Sequence, residues 1–283
     1  MKKFIVFALS IVLPYFASAQ AHIETKKVKI ADFTEKITKV VLTGNMFHDS
    51  ILKREVTARW HISPFEFCSA DEYNRLMSDS NYYFLLTVEG QFKKEKEPGL
   101  TFLTLVKGGD SNGKGLNNMY EVISFPFASA SDPSGREYTF LPAILDMIQT
   151  HVNESLGNDI NGYVGLPNYT LNISKSGQMN IVFSEGDLSK EITPEVRAAH
   201  FDDKVLVLEE EKADEYMTPE ATNTLVSYVV VPTNAKNGSY CYKMLFDTQT
   251  STLYYFRKHK LTKRAGAGFL AEDIKRICTP RKK

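Results

Sequence analysis

The chain has 283 residues, with 34 Lys and Arg against 34 Asp and Glu, and 43% of it is hydrophobic. Such a balance supplies no field for nucleic acid or acidic lipid, and three cysteines are too few for a disulfide scaffold. The length suits one large or two ordinary domains, each with its own core.

The chain begins Met1-Lys2-Lys3, continues as an apolar run over 4–16, and reaches Ala17-Ser18-Ala19 before Gln20. A basic start, a short apolar stretch and a small-x-small site predict a secretory signal peptide over 1–19, cut after Ala19. The run falls short of the ~20 apolar residues of a membrane span, and no later stretch reaches that length. A soluble, exported chain in the periplasm or outside the cell is the expectation.

In the first half, the apolar, β-branched 39–43 reads as a strand that Gly44-Asn45 interrupts. Asp49 or Ser50 then caps a helix carrying Ile51, Leu52, Val56 and Trp60 at helical spacing. Phe65-Glu66-Phe67-Cys68 is a short strand, and Ser69 caps a second helix with Tyr73, Leu76 and Met77. The run 82–88 has the continuous apolar character of a strand buried on both faces. Strands at 100–106 and 120–127 follow, then a helix over 140–152 with Pro142 in its first turn.

The second half repeats this order. Strands are predicted at 179–183, 204–208 and 224–231, with a helix capped by Thr193 and another beginning within 212–217. A hairpin spans 240–246 and 253–256, and a helix within 269–278 closes the chain. Ala70-Asp71-Glu72-Tyr73 returns as Ala213-Asp214-Glu215-Tyr216. Aligned without a gap from there, 81–88 falls on 224–231. The expectation is an α/β protein of two tandem similar units, each a mixed sheet of about five strands flanked by helices. The first unit spans 20–156, a linker or bridging strand 157–177, and the second unit 178–283.

Candidate chemistry is sparse. Gly108, Gly113 and Lys114 spell most of a phosphate-binding loop. Gly115 stands where Ser or Thr must reach the metal, and a strand follows where the motif needs a helix, so a hairpin tip is the better reading. The six histidines form no metal-ligating pair spacing, and neither a metal site nor a cofactor is expected. His48, Asp49 and Asp110 are the set a hydrolase would have to assemble in the fold. Cys241 and Cys278 are the candidate disulfide, with buried free thiols as the alternative. Tyr254, Tyr255, Arg257, Lys258, His259 and Lys260 on the last hairpin are the candidate binding residues, since Tyr and Arg are favoured in contact surfaces. Core packing is the better account of most aromatics there, and the basic end is the contact candidate.

Strand, helix, Phe65-Glu66-Phe67-Cys68, Ala70-Asp71-Glu72-Tyr73 and the run 82–88 resemble the amino-terminal α/β domain of TolB and the periplasmic domain of the curli secretion channel. The hairpin sequence Asp247-Thr248-Gln249-Thr250-Ser251-Thr252-Leu253 has the Asp-x-x-Thr-x-x-Leu form found in those families. The end of the signal peptide is similar to those of exported Bacteroidetes proteins. The resemblance implies a non-enzymatic envelope module that binds or assembles with other proteins. The chain departs from those families in having no lipobox Cys after the leader, so a lipid anchor is not expected. A small-ligand or glycan binder using a cleft between the units, and a hydrolase, are the rival expectations.

Overall fold

The computed structural model describes residues 30–92, 95, 97–109, 116, 119–157 and 164–279. The signal peptide, Asp110, Gly113, Lys114, Gly115 and part of the predicted linker lie outside the described residues.

The first sheet contains β1 (Ile37–Val41), β2 (Phe65–Cys68), β3 (Tyr82–Gly90), β4 (Leu100–Lys107) and β5 (Tyr120–Ser129) in the order β2-β1-β3-β4-β5. β1 runs parallel to β2 and β3, and the β3–β4 and β4–β5 pairs are antiparallel. The second sheet contains β6 (Asn180–Ser184), β7 (Val205–Leu208), β8 (Thr224–Val230), β9 (Tyr240–Asp247) and β10 (Leu253–Lys260). Its order, β7-β6-β8-β9-β10, repeats the first, with the same two parallel and two antiparallel pairings. Two mixed five-stranded sheets of one connectivity confirm the two-unit α/β architecture.

The identical tetrapeptides are nevertheless not structural equivalents. Ala70–Tyr73 opens α2 (Ala70–Leu76) directly after its N-cap Ser69, which accepts from the Glu72 N–H. Ala213–Tyr216 sits at the far end of α5 (Glu210–Asp214), whose N-cap is Glu209. The match is out of step by almost one turn, so the shared strand order carries the duplication.

α1 (Met46–Arg59) starts earlier than expected, because Asn45 is the cap, accepting from the Phe47 and His48 amides. Asp49, the expected cap, reaches back to Thr43 and Gly44. α3 (Arg136–Gly157) also starts a turn early, which places Pro142 inside the helix rather than at its start. Pro142 has no N–H to give to the carbonyl four residues back. The described part of 157–177 holds a 3-10 segment, Leu166–Lys175, rather than a strand. It is tied to β10 through Thr170 Oγ1 on the Phe256 carbonyl and Asn172 Nδ2 on that of Leu253.

The apolar run of β3 divides between two faces, as strand alternation requires. Tyr83 and Leu85 join a core with Leu52 and Val56 of α1 and with Phe140, Ile144 and Ile148 of α3. Phe84 and Leu86 face the opposite way, under Tyr73 of α2. The first core is continuous with the second sheet. Phe140 stacks on Tyr228 at 4.3 Å between centroids, Phe125 lies 5.9 Å from Phe246, and the Tyr228 hydroxyl donates to the Phe127 carbonyl. α3 is thus shared between the units, covering its own sheet and one face of the next. The far face of the second sheet is covered by α4 (Pro194–His200) and α6 (Ala271–Cys278), around Phe183, Phe269, Ile274 and Ile277. No helix among the described residues is long and apolar enough to cross a membrane.

The hairpin motif has a local cause. Asp247 Oδ1 accepts from the Gln249 and Thr250 amides, closing the turn, while Leu253 is buried.

Candidate functional site

In a sheet of this kind the loops after two neighbouring parallel strands leave on opposite faces, opening a crevice at the strands' carboxyl ends. In the second unit that crevice lies beside β6, where Ser184 ends the strand and Asp187 follows. The Asp187 main chain is held by the segment before α6, through Phe269 N–H on Asp187 C=O at 2.7 Å. Gly268 permits this approach: its φ is +93°, and a Cβ there would stand 2.5 Å from the Asp187 carbonyl oxygen.

Into this crevice the first unit inserts Arg136, the first residue of α3, 7% exposed. The guanidinium donates to both Asp187 oxygens at 2.9 and 3.3 Å, to the Asp214 carboxylate at 2.8–3.1 Å, and to the Ser227 carbonyl at 3.2 Å. Ser227 Oγ donates to Asp187 at 2.6 Å. The guanidinium also lies over the Phe140 and Tyr228 rings at 5.6 and 5.5 Å. Burial alone would lower the Arg136 pKa, but Asp187 and Asp214 hold it charged and above its ordinary value. Burial raises Asp214 above the usual carboxylate range despite Arg136, with Asp187 adding to the shift.

Arg136 forms the floor of an open cleft of about 510 Å³ lined by Ser134, Gly135, Thr139, Glu210, Glu211, Asp214 and Glu215 as well. Glu210 reaches within 3.6 Å of Arg136 with half its side chain exposed, and burial pushes its pKa up. At the start of α1, Met46 and Phe47 are 87% and 67% exposed. Phe47 meets Tyr138 of the first turn of α3 edge-to-face at 5.4 Å.

None of this was marked by sequence motifs. Arg136 is one basic residue after a Pro-Ser-Gly turn, and its partners lie 51 and 78 residues away. The one available signal was the acidic run 209–211 with Asp214 and Glu215, which reads as a solvated edge.

The hairpin residues chosen from sequence do not share one surface. Tyr255 is fully buried and donates to Asp273 at 2.6 Å, and Arg257 donates to Asp273 at 3.1 Å. Tyr254 is half-buried against the second core. His259 Nε2 lies 2.8 Å from the Gly266 carbonyl. Lys258 and Lys260 are exposed and lie over the Tyr240 ring at 5.5 and 5.3 Å. Strand alternation separates them, which a cluster in sequence does not reveal.

His48 is buried, with Nδ1 3.3 Å from the Tyr138 hydroxyl, and the Asp49 carboxylate is occupied by the loop after β1. No group of three or more His, Cys, Asp or Glu suited to a metal ion occurs among the described residues. Cys241, Cys278 and Cys68 are buried, and no disulfide joins any two of them. Burial raises the Cys68 and Cys241 thiols to about 11, a range in which the reactive thiolate is scarce at neutral pH.

No protein-family model, no curated protein and no solved structure matches the chain.

Proposed function

We propose that this is an exported, soluble protein of the cell envelope that acts by binding another protein, with the junction between its two units as the docking surface. The observation that carries this reading is the adjacent pair Met46 and Phe47, exposed on the first turn of α1, with Phe47 against Tyr138 of the shared helix α3. Large apolar side chains left in water forgo about 1.5–3 kcal/mol each relative to burial, which a covering partner recovers. The capped helix start fixes the pair in place, so little ordering is needed on binding. The amino-terminal signal sequence and the resemblance of each unit to envelope modules support the location and the non-enzymatic role.

A glycan site in the cleft has less support, because the lining residues include four carboxylates and no aromatic ring. A hydrolase built on His48 and Asp49 has less again, since Asp49 is committed to main-chain amides. The test is affinity capture from envelope extract of a Gram-negative host with wild-type protein and with Met46→Asp/Phe47→Asp. A partner retained by wild type and lost by the double variant supports the docking surface. Equal capture by both proteins, or none above background, overturns it.

A further inference from the structure

We infer that a second copy of this chain docks on the free edge of β7, its own β7 running antiparallel to the first about a two-fold axis at Val207. This goes beyond the reading above and does not rest on Met46 or Phe47.

An open sheet edge leaves a row of main-chain groups ready to pair with another chain. Of the four edges of the two sheets, three are managed. The edge of β10 is met by the 3-10 segment, with Thr170 Oγ1 on the Phe256 carbonyl and Asn172 Nδ2 on that of Leu253. β5 contains Pro126, and its Phe127 carbonyl accepts from the Tyr228 hydroxyl of the other unit. β2 carries a charge in mid-strand, the half-exposed Glu66, paired with Lys39 at 2.6 Å. β7 has none of these devices. It reads Val205-Leu206-Val207-Leu208, and no strand lies beyond it among the described residues. When β2 and β7 are matched at their last residues, Cys68 and Leu208, Glu66 corresponds to Leu206, which is 37% exposed.

The backbone limits how two such edges can meet. Ile181 N–H donates to the Lys204 carbonyl, so Lys204, Leu206 and Leu208 bond toward β6, and the main-chain groups of Val205 and Val207 point outward. The Val205 N–H turns back to the Asp202 carbonyl at 3.2 Å, which leaves the Val205 carbonyl and both groups of Val207 for a partner. Across an antiparallel pair, outward residues must face outward residues. With Val207 opposite its own copy, Leu206 falls opposite Leu208, and Lys204 opposite Glu210. These four residues alternate along the chain and share one side of the strand. Their order is basic, apolar, apolar, acidic, which complements itself when reversed: leucine pairs at the centre, ion pairs at the ends. Lys204 Nζ otherwise bonds only Gln178, at its carbonyl and Oε1, and Glu210 is half exposed, so both are within reach of a partner. Slipping the pairing by two residues sets Lys204 against Leu208 and loses both ion pairs. On the other side of the strand Asp203 falls opposite Glu211, a like-charge pair that confines the pairing to the residues between.

Sedimentation equilibrium of the chain lacking residues 1–19, across a concentration series, tests this. An edge so short buries little area, so a reversible dimer of modest affinity is expected. Leu206→Glu gives β7 the charge that β2 carries. Val207→Pro removes an outward N–H and leaves the bonds to β6 in place. Each should weaken the dimer about tenfold or more. Lys204→Glu and Glu210→Lys should each weaken it too, and the double exchange Lys204→Glu/Glu210→Lys should recover it, since the ion pairs re-form with reversed sign. Circular dichroism of each variant verifies the fold. Weakening by the exposed-site variant Leu206→Glu together with recovery in the double exchange supports the inference. A chain that stays monomeric at every concentration overturns it, as does a dimer unmoved by Leu206→Glu and Val207→Pro, or a folded double exchange that fails to recover association.

Discussion

The most exacting prediction concerns the polar core of the second unit. Lys243 on β9 and Asp273 in the first turn of α6 are fully buried and ion-paired. Asp273 also accepts from the Tyr255 hydroxyl at 2.6 Å, Arg257 at 3.1 Å and the Leu270 amide at 2.8 Å. Asp273→Ala leaves an uncompensated ammonium in the core and strips three further donors. Breaking a buried pair in this way costs about 3–5 kcal/mol. Lys243→Met leaves Asp273 three of its donors, so a smaller loss, about 1–3 kcal/mol, is expected. The double variant Lys243→Met/Asp273→Leu removes both charges and should be more stable than Asp273→Ala, because no buried charge is stranded. Urea unfolding followed by circular dichroism measures all three, and with a slope of roughly 3 kcal/mol per molar the Asp273→Ala midpoint should fall by about 1 M or more. Trp60, the single tryptophan, lies in the first unit, within the core that runs into the second sheet. Its fluorescence should therefore report the same shift as the backbone signal. A loss below 1 kcal/mol for Asp273→Ala, or a loss no larger than that of Lys243→Met, would refute the reasoning. Acid supplies a further check. Burial alone would raise the Asp273 pKa, but Lys243, Tyr255 and the Leu270 amide hold it below the ordinary carboxylate value. A depressed pKa stabilises above the unfolded value, about 4, and that stability is lost as pH falls through the folded one. Asp273→Ala should lose this part of the acid sensitivity.

Arg136→Met strands Asp187 and Asp214 beneath the cleft and should cost about 3–5 kcal/mol at neutral pH. Burial already raises the Asp214 pKa and Arg136 opposes that rise, so without the guanidinium the variant should gain stability relative to wild type as pH is lowered toward 5, measured by urea midpoints across pH. His151 is 1% exposed, and burial lowers its pKa to about 4. The unfolded chain therefore binds the extra proton first, and stability should fall by about 3 kcal/mol between pH 6.5 and 4, a slope that His151→Leu removes. Asn45→Ala should cost about 1 kcal/mol through loss of the α1 cap, while Asn45→Asp stays near neutral in thermal unfolding. Phe140→Ala opens a cavity against Tyr228 and Phe246 and should cost about 3–5 kcal/mol. Because that ring packs between both units, their unfolding should be coincident in the wild type and separate in this variant.

Elements that follow from local chemistry could be read directly from the residues. Ser69 and Thr193 sit as N-caps where a hydroxyl precedes a helical pattern. The run 82–88 is a strand buried on both faces, because its apolar residues meet different cores on alternate sides. Errors arose where two residues competed for one role. Asn45 displaced Asp49 as a cap, since both offer an acceptor near the helix start. Pro142 suggested a first turn, but packing on both sides of α3 outweighs the cost of one missing amide.

Periodicity, capping residues and turn chemistry act over a few positions, so the chain itself determined its strands, most of its helices and their repeated order. Which faces met was decided only on folding. α3 became a shared layer because its apolar surface extends further round than one sheet can cover, and Arg136 was thereby carried into the second unit's crevice. The cleft and the Arg136 pairs with Asp187 and Asp214 depend on residues dozens of positions apart. Their energies arise from burial and distance, quantities that exist only once the two units have packed together.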